Sequence, residues 1–251
     1  SYGRPSIDSA LQQLHQEGAQ RILVLPLYPQ YSGSTTGSVF DSVTRALARR
    51  RWVPEMRFIN QYYDDPGYVA ALAASIREAW DTKGRGERLL FSFHGIPRRM
   101  VEMGDPYYRQ CLETARQVAE VLGLGVDEWQ LCFQSRLGRA EWLKPYTDAT
   151  LLQWGRERMG RIDVVCPGFA VDCLETLEEI AMRYAEKYVS AGGGELRYIP
   201  ALNARDDHVS FLCRLVERHV AGWTEAIAND TRANTPRAVD PGRSRDVSAV
   251  R

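Results

Sequence analysis

The feature that most constrains this chain is an alternation of short apolar runs of strand length with stretches of helical periodicity. The runs are residues 21–28 (RILVLPLY), 88–93 (RLLFSF), 129–133 (WQLCF), 162–166 (IDVVC) and 196–199 (LRYI), with a weaker one at 56–59 (MRFI). They are continuous rather than alternating, which is how strands covered on both faces read. Helical patterns occupy residues 6–17, 66–80, 106–122, 145–159, 172–190 and 206–223. Ile7, Leu11 and Leu14 share one face of the first, and Val69, Leu72 and Ile76 one face of the second. Strand–helix alternation with short connections predicts an α/β chain of parallel sheets flanked by helices. From about residue 228 onward the chain turns to Arg, Asp, Pro, Ser and Thr, a composition that predicts a disordered tail.

Charge and cysteine usage narrow the partners. Lys+Arg and Asp+Glu both number 32 in 251 residues, so no net charge argues for nucleic acid or an anionic membrane surface. No apolar run approaches the roughly 20 residues of a membrane-spanning helix. At most peripheral membrane contact is expected. The start of the chain lacks the basic and apolar regions of a signal peptide. The five cysteines, Cys111, Cys132, Cys166, Cys173 and Cys213, are odd in number and form no CxxC pair. That pattern points to reduced thiols in a cytoplasmic protein, not to a disulfide framework or structural zinc.

Each main strand is followed by a polar or Pro/Gly-bearing segment: residues 29–37 (PQYSGSTTG), 94–97 (HGIP), 134–136 (QSR) and 167–169 (PGF). In open α/β sheets ligands bind outside the carboxyl ends of the strands, so these segments mark a site without saying what binds there. His94 stands where a strand ends and Gly95 permits a sharp turn; a histidine there can be a base, a metal ligand or a loop hydrogen-bond partner. Asp172, Glu175 and Glu179 lie at i, i+3 and i+7 on one helix face, opposite Leu174, Leu177, Ala181 and Tyr184. The first two also read as a D-x-x-E capping box, with Glu179 as a solvated charge. Residues 30–37 could form a backbone nest for an anion. They lack the Lys-Ser/Thr ending of a P-loop, and no G-x-G-x-x-G follows a strand, which argues against a dinucleotide cofactor.

Taken together, LPLYPQYSGSTTGS (25–38), FSFHGIP (91–97), GDPYYRQC (104–111), FQSRLGRAEWLKPYTD (133–148), VVCPGFAVDCLETLEEI (164–180) and YIPALN (198–203) resemble the ferrochelatase family, in that family's order and spacing. The resemblance covers residues 1 to about 223. It implies two Rossmann-like chelatase domains around a porphyrin cleft. Residues 1–86 would be the C-terminal part of the first, 87–203 the second, 204–228 a helix packing back on both, and 229–251 the tail. A complete first domain would need roughly 100 further residues before this chain.

The resemblance also assigns roles. His94 and Glu175 would be the catalytic pair and the ligands of Fe²⁺. Tyr2, Tyr28, Tyr31, Trp142, Phe169, Asp172 and Glu179 would contact the substrate, with Tyr146 near the lip of the second domain, and arginines would meet the porphyrin's propionates. The implied reaction is Fe²⁺ insertion into protoporphyrin IX by a monomer with no permanently bound cofactor. The alternatives are coproporphyrin III or another tetrapyrrole, or porphyrin binding without catalysis. Animal members hold a [2Fe–2S] cluster with one cysteine inside the segment occupied here by residues 30–36. This chain has Gly33 at that position and no cysteine after Cys213, so no such cluster is expected. Cys173 stands where some members carry a second cleft histidine.

Overall fold

Two parallel sheets organise the chain in the computed structural model, which describes residues 3–223. The first contains β1 (Arg21–Val24) and β2 (Glu55–Phe58), in register from Arg21 opposite Glu55 to Val24 opposite Phe58. Helix α1 (Ile7–Gln16) precedes it, and a π-helical turn at Gly33–Gly37 leads into α2 (Ser38–Leu47). Leu11, Ile22, Val43 and Leu47 form a small core between these helices and the sheet. The apolar run from 21 predicts a strand reaching 28, but β1 stops at Val24. Pro26 has no amide hydrogen for a ladder, and its ring restricts Leu25 before it.

The second sheet has the order β4-β3-β5-β6, with β3 (Arg88–His94), β4 (Trp129–Gln134), β5 (Arg161–Val165) and β6 (Glu195–Ile199) all parallel. Alternate residues of β3 enter different cores. Leu89, Phe91 and Phe93 pack with α3 (Pro66–Lys83), α5 (Tyr107–Leu122) and α9 (Asp206–Val220). Leu90 joins Ile162 and Val164 against α6 (Thr147–Arg156) and α8 (Ala185–Ser190). Burial on both faces explains the continuous apolar runs, each large side chain contributing about 1.5–3 kcal/mol.

Helix boundaries follow local chemistry. Asp65 caps α3 by accepting the Gly67 N–H at 2.9 Å, with Pro66 in the first turn where its missing N–H costs nothing. Helix α6 starts at Thr147 rather than 145, because the Pro145 carbonyl accepts the Phe133 N–H of β4 at 2.8 Å. Helix α2 and the short α4 (Arg98–Glu102) were not among the helices expected from periodicity. The segment 172–190 is not one helix: α7 (Leu174–Leu177) gives way to a π-helical turn, Glu179–Tyr184, before α8.

Packing does not follow the division at residue 86, since α3 shares its core with the second sheet. Helix α9 lies on α3 through Phe211 and Leu215, and its end reaches the first sheet. There Arg57 donates to the His219 carbonyl at 2.6 Å and Trp223 Nε1 donates to Glu55 at 2.6 Å. The tail expected from residue 229 lies outside the described residues, as does Tyr2.

A buried polar cluster fixes the sheet away from its carboxyl end. Asp163 accepts from Arg197 Nε at 2.7 Å, Trp80 Nε1 at 2.6 Å and the Gly86 N–H at 2.9 Å. Both charged side chains are almost fully buried. Asp163→Ala strands the guanidinium in the interior and is expected to cost about 3–5 kcal/mol. Urea unfolding checks this, and a loss under 1 kcal/mol would contradict it.

Candidate functional site

Because every strand is parallel, the segments singled out in the sequence emerge on one side of their sheets. They enclose a cleft of about 760 Å³ lined by residues that follow β1, β3 and β5, and by the start of α7. Its walls are largely apolar and aromatic, including Leu27, Tyr28, Val39, Ile96, Trp142 and Phe169. His94 and Glu175 both face it, with Cys173 beside them.

His94 is the last residue of β3 and is half-buried. Its Nδ1 lies 2.7 Å from the Gly95 carbonyl oxygen, which can only accept. Nδ1 is therefore a donor, and in the neutral imidazole this tautomer leaves the Nε2 lone pair free. The backbone behind it is tightly held. Tyr107 donates its hydroxyl to the His94 carbonyl at 2.9 Å, and the Gly95 N–H donates to the Gln134 carbonyl at 2.8 Å. A Cβ at Gly95 would lie 3.0 Å from that carbonyl and 3.1 Å from the Trp142 ring, so the close approach requires glycine.

Glu175 sits in the first turn of α7. A hydrogen bond from the Cys173 thiol, its own backbone N–H and the nearby His94 hold its carboxyl below the usual range, against the opposing effect of burial. The side chain is thus ionised at neutral pH, where it can ligate a cation. The helix N-terminus adds a favourable field. The capping box expected from Asp172 and Glu175 is instead built by Cys173 and Thr176, one residue later. Glu175 is left free of capping duty.

The other expected contacts divide. Tyr28, Trp142 and Phe169 line the cleft. Tyr31 does not; its hydroxyl lies over Gly37 on the inner side of the π-helical turn. Tyr146 is stacked under the Arg136 guanidinium, 4.2 Å from its ring centroid. Asp172 turns away from the cleft to accept from Tyr198 at 2.7 Å, Asn203 at 2.8 Å and Thr176 at 3.0 Å. Burial acts against its charge, but these bonds outweigh it and hold the carboxyl below its ordinary value. Glu179 is buried, accepting from the Ser135 N–H at 3.1 Å, the Ser135 hydroxyl and the Tyr184 hydroxyl at 2.7 Å. Its partners also explain why Ser135 adopts a left-handed φ of 61°, a conformation that needs support in a residue with a side chain. Asp172 and Glu179 are therefore structural acceptors that do not line the cleft, contrary to the expectation that they contact the substrate.

One further expectation is not met. Among the described residues no arginine or lysine lines this cleft, so the propionate-binding arginines are not found there. No three His, Cys, Asp or Glu side chains among the described residues converge as a ready-made metal cage; His94 and Glu175 remain a pair. Tyr107, Val39 and Cys173 join the lining without having been singled out as contacts. Only tertiary placement brings them in, although Tyr107 follows a Gly-Asp-Pro turn that marks a helix start. No helix among the described residues is long and apolar enough to cross a membrane.

Comparison with known proteins places this geometry in context. The profile of the ferrochelatase family matches residues 1–220. The ferrochelatase of Nitrosococcus oceani is 58% identical over 244 residues, covering 97% of this chain and 66% of that protein. The ferrochelatase of Thioalkalivibrio sulfidiphilus is 60% identical over 225 residues, covering 90% of this chain and 61% of that protein. The chain thus spans under two thirds of the length of these relatives. Among solved structures, SirB from Bacillus subtilis with Fe³⁺ is similar in fold at a TM-score of 0.64 and 15% identity, covering 90% of this chain and 81% of that one. CbiX, described as the terminal enzyme of sirohaem biosynthesis in denitrifying bacteria, is similar at a TM-score of 0.53 and 17% identity, covering 79% of this chain and 76% of that one.

Proposed function

The chain belongs to the ferrochelatase family, and from that premise we propose that it supports insertion of Fe²⁺ into protoporphyrin IX, yielding protohaem and two protons. The observation that carries this reading is the juxtaposition, in one apolar cleft, of His94, whose Nδ1 donates to the Gly95 carbonyl, and an ionised Glu175.

A flat porphyrin hides its nitrogen lone pairs in the ring plane, so metal entry requires a bent ring and removal of two pyrrole protons. In this proposal His94 Nε2 accepts the two pyrrole protons in turn, passing the first to water in the cleft before taking the second, while Nδ1 stays fixed on the Gly95 carbonyl. Glu175 offers a hard oxygen to Fe²⁺ as water leaves the metal. Trp142, Phe169 and Tyr28 grip the macrocycle by its faces and edges. Fe²⁺ enters as substrate. We further propose that no [2Fe–2S] cluster is held, since Cys111, Cys132 and Cys166 are buried at separate core positions and Gly33 occupies the animal-type ligand position.

The test is anaerobic metal insertion by the protein, followed by porphyrin absorbance, with protoporphyrin IX, coproporphyrin III and sirohydrochlorin offered in competition. Selective metalation of protoporphyrin IX is expected. Preferential turnover of another tetrapyrrole would replace the substrate in this reading, and tight porphyrin binding without insertion would remove the catalytic claim.

A further inference from the structure

Gln134 ends β4 and is 2% exposed, although a glutamine side chain is costly to bury unless every polar atom is paired. It is paired on all sides. The Ser92 hydroxyl donates to its Oε1 at 2.7 Å, and the Cys166 thiol approaches the same atom at 3.5 Å. Its Nε2 donates to the backbone carbonyl of Glu175 at 2.7 Å. Its own backbone carbonyl accepts from Gly95, the residue after His94. The amide orientation is dictated by its partners: a flipped carboxamide would set Oε1 against the Glu175 carbonyl, two acceptors facing each other.

One residue therefore bonds to the backbone of Glu175 and to that of Gly95, directly after His94. We propose that Gln134 is a positioning residue, whose carboxamide ties the Glu175 turn to the end of the strand that carries His94. The reading rests on the metal-insertion function above. The adjacent residue strengthens the tie, because Ser135 bonds twice to Glu179, one turn beyond Glu175. Between these two attachments the α-helical turn of α7 passes into the π-helical turn, so the bonds hold the segment where its own ladder changes register. Neither Gln134 nor Ser135 lines the cleft, which separates holding from touching substrate.

The experiment compares Gln134→Met and Gln134→Glu with the wild type. Methionine keeps the volume and removes the bonds. Glutamate keeps the shape and an acceptor for Ser92, but donates to the Glu175 carbonyl only when protonated. Metal-insertion kcat is expected to fall about 10–100-fold in Gln134→Met, with porphyrin KM and Tm near wild type. In Gln134→Glu, kcat relative to wild type is expected to recover as pH falls, as the carboxyl regains its proton; the methionine variant should show no such recovery. Crystal structures of both variants supply an arm independent of activity, with the Glu175 carboxylate expected to move relative to His94 in Gln134→Met. Unchanged kcat, a loss confined to KM or Tm, or an unmoved Glu175 overturns the proposal. If the wild type itself inserts no metal, the functional reading fails, and the crystallographic arm alone decides whether Gln134 sets the geometry.

Discussion

His94→Ala is expected to reduce metal insertion at least about 10³-fold while leaving the fold and porphyrin binding in place. General-base catalysis contributes typically 10²–10⁴-fold. Here the base is also the group whose tautomer is fixed, since the Gly95 carbonyl holds the proton on Nδ1 and leaves Nε2 free. The imidazole is half-buried at a strand end, and its ring meets Trp142 only at a centroid distance of 6.4 Å, so its removal opens little core. A thermal shift of no more than a few degrees should accompany the loss. His94→Gln separates shape from basicity: it can still donate toward the Gly95 carbonyl but offers no basic nitrogen, and should be as inactive as alanine. Porphyrin fluorescence titration and Zn²⁺ or Fe²⁺ insertion assays read the two quantities. Retained turnover in either variant would remove His94 from the mechanism.

The prominence of His94 in the sequence has a physical reason. A histidine directly after a run of five buried residues, followed by glycine, records a strand end facing a ligand, because both burial and the turn leave local traces. The buried strands were legible for the same reason: Leu89 to Phe93 are apolar on both faces except Ser92, and Ser92 is buried with partners in Gln134 and Thr147. What local pattern could not show was the destination of polar side chains. Asp172, Glu175 and Glu179 look alike at i, i+3 and i+7, yet one bonds to Tyr198 and Asn203, one faces the cleft and one supports Ser135. The change from α- to π-helical winding after α7 breaks the regular 3.6-residue phase on which such a face is drawn. Helix α2 leaves no local start signal, because it follows the Ser/Thr/Gly turn without a break and has no side-chain cap at Gly37. Gln134 was legible only as part of the polar strand-end segment 134–136, since its own importance lies in which backbones it meets.

Glu175→Gln tests the second half of the proposed pair, with an expected fall in turnover of about 100-fold, or about 2.7 kcal/mol of transition-state stabilisation. The substitution preserves volume and the helix position, and takes away only the charge. Stability should barely change. Thr176 and Cys173 form the capping box, so glutamine at 175 leaves the cap intact. The lost interaction with the helix N-terminus is worth about 0.3–1 kcal/mol. The sign of the pH effect follows from the lowered carboxyl. A depressed folded-state value means Glu175 stabilises the fold above its unfolded pKa, and that contribution disappears as pH falls through the lowered value. Glutamine should abolish this acid-side dependence while leaving neutral-pH stability close to wild type. Activity should respond in the opposite proportion, with a large loss at neutral pH where the wild-type carboxylate is fully ionised. Steady-state insertion rates beside urea midpoints across the acid range distinguish the two. If Glu175→Gln unfolds more easily but turns over normally, Glu175 serves the helix and not the metal.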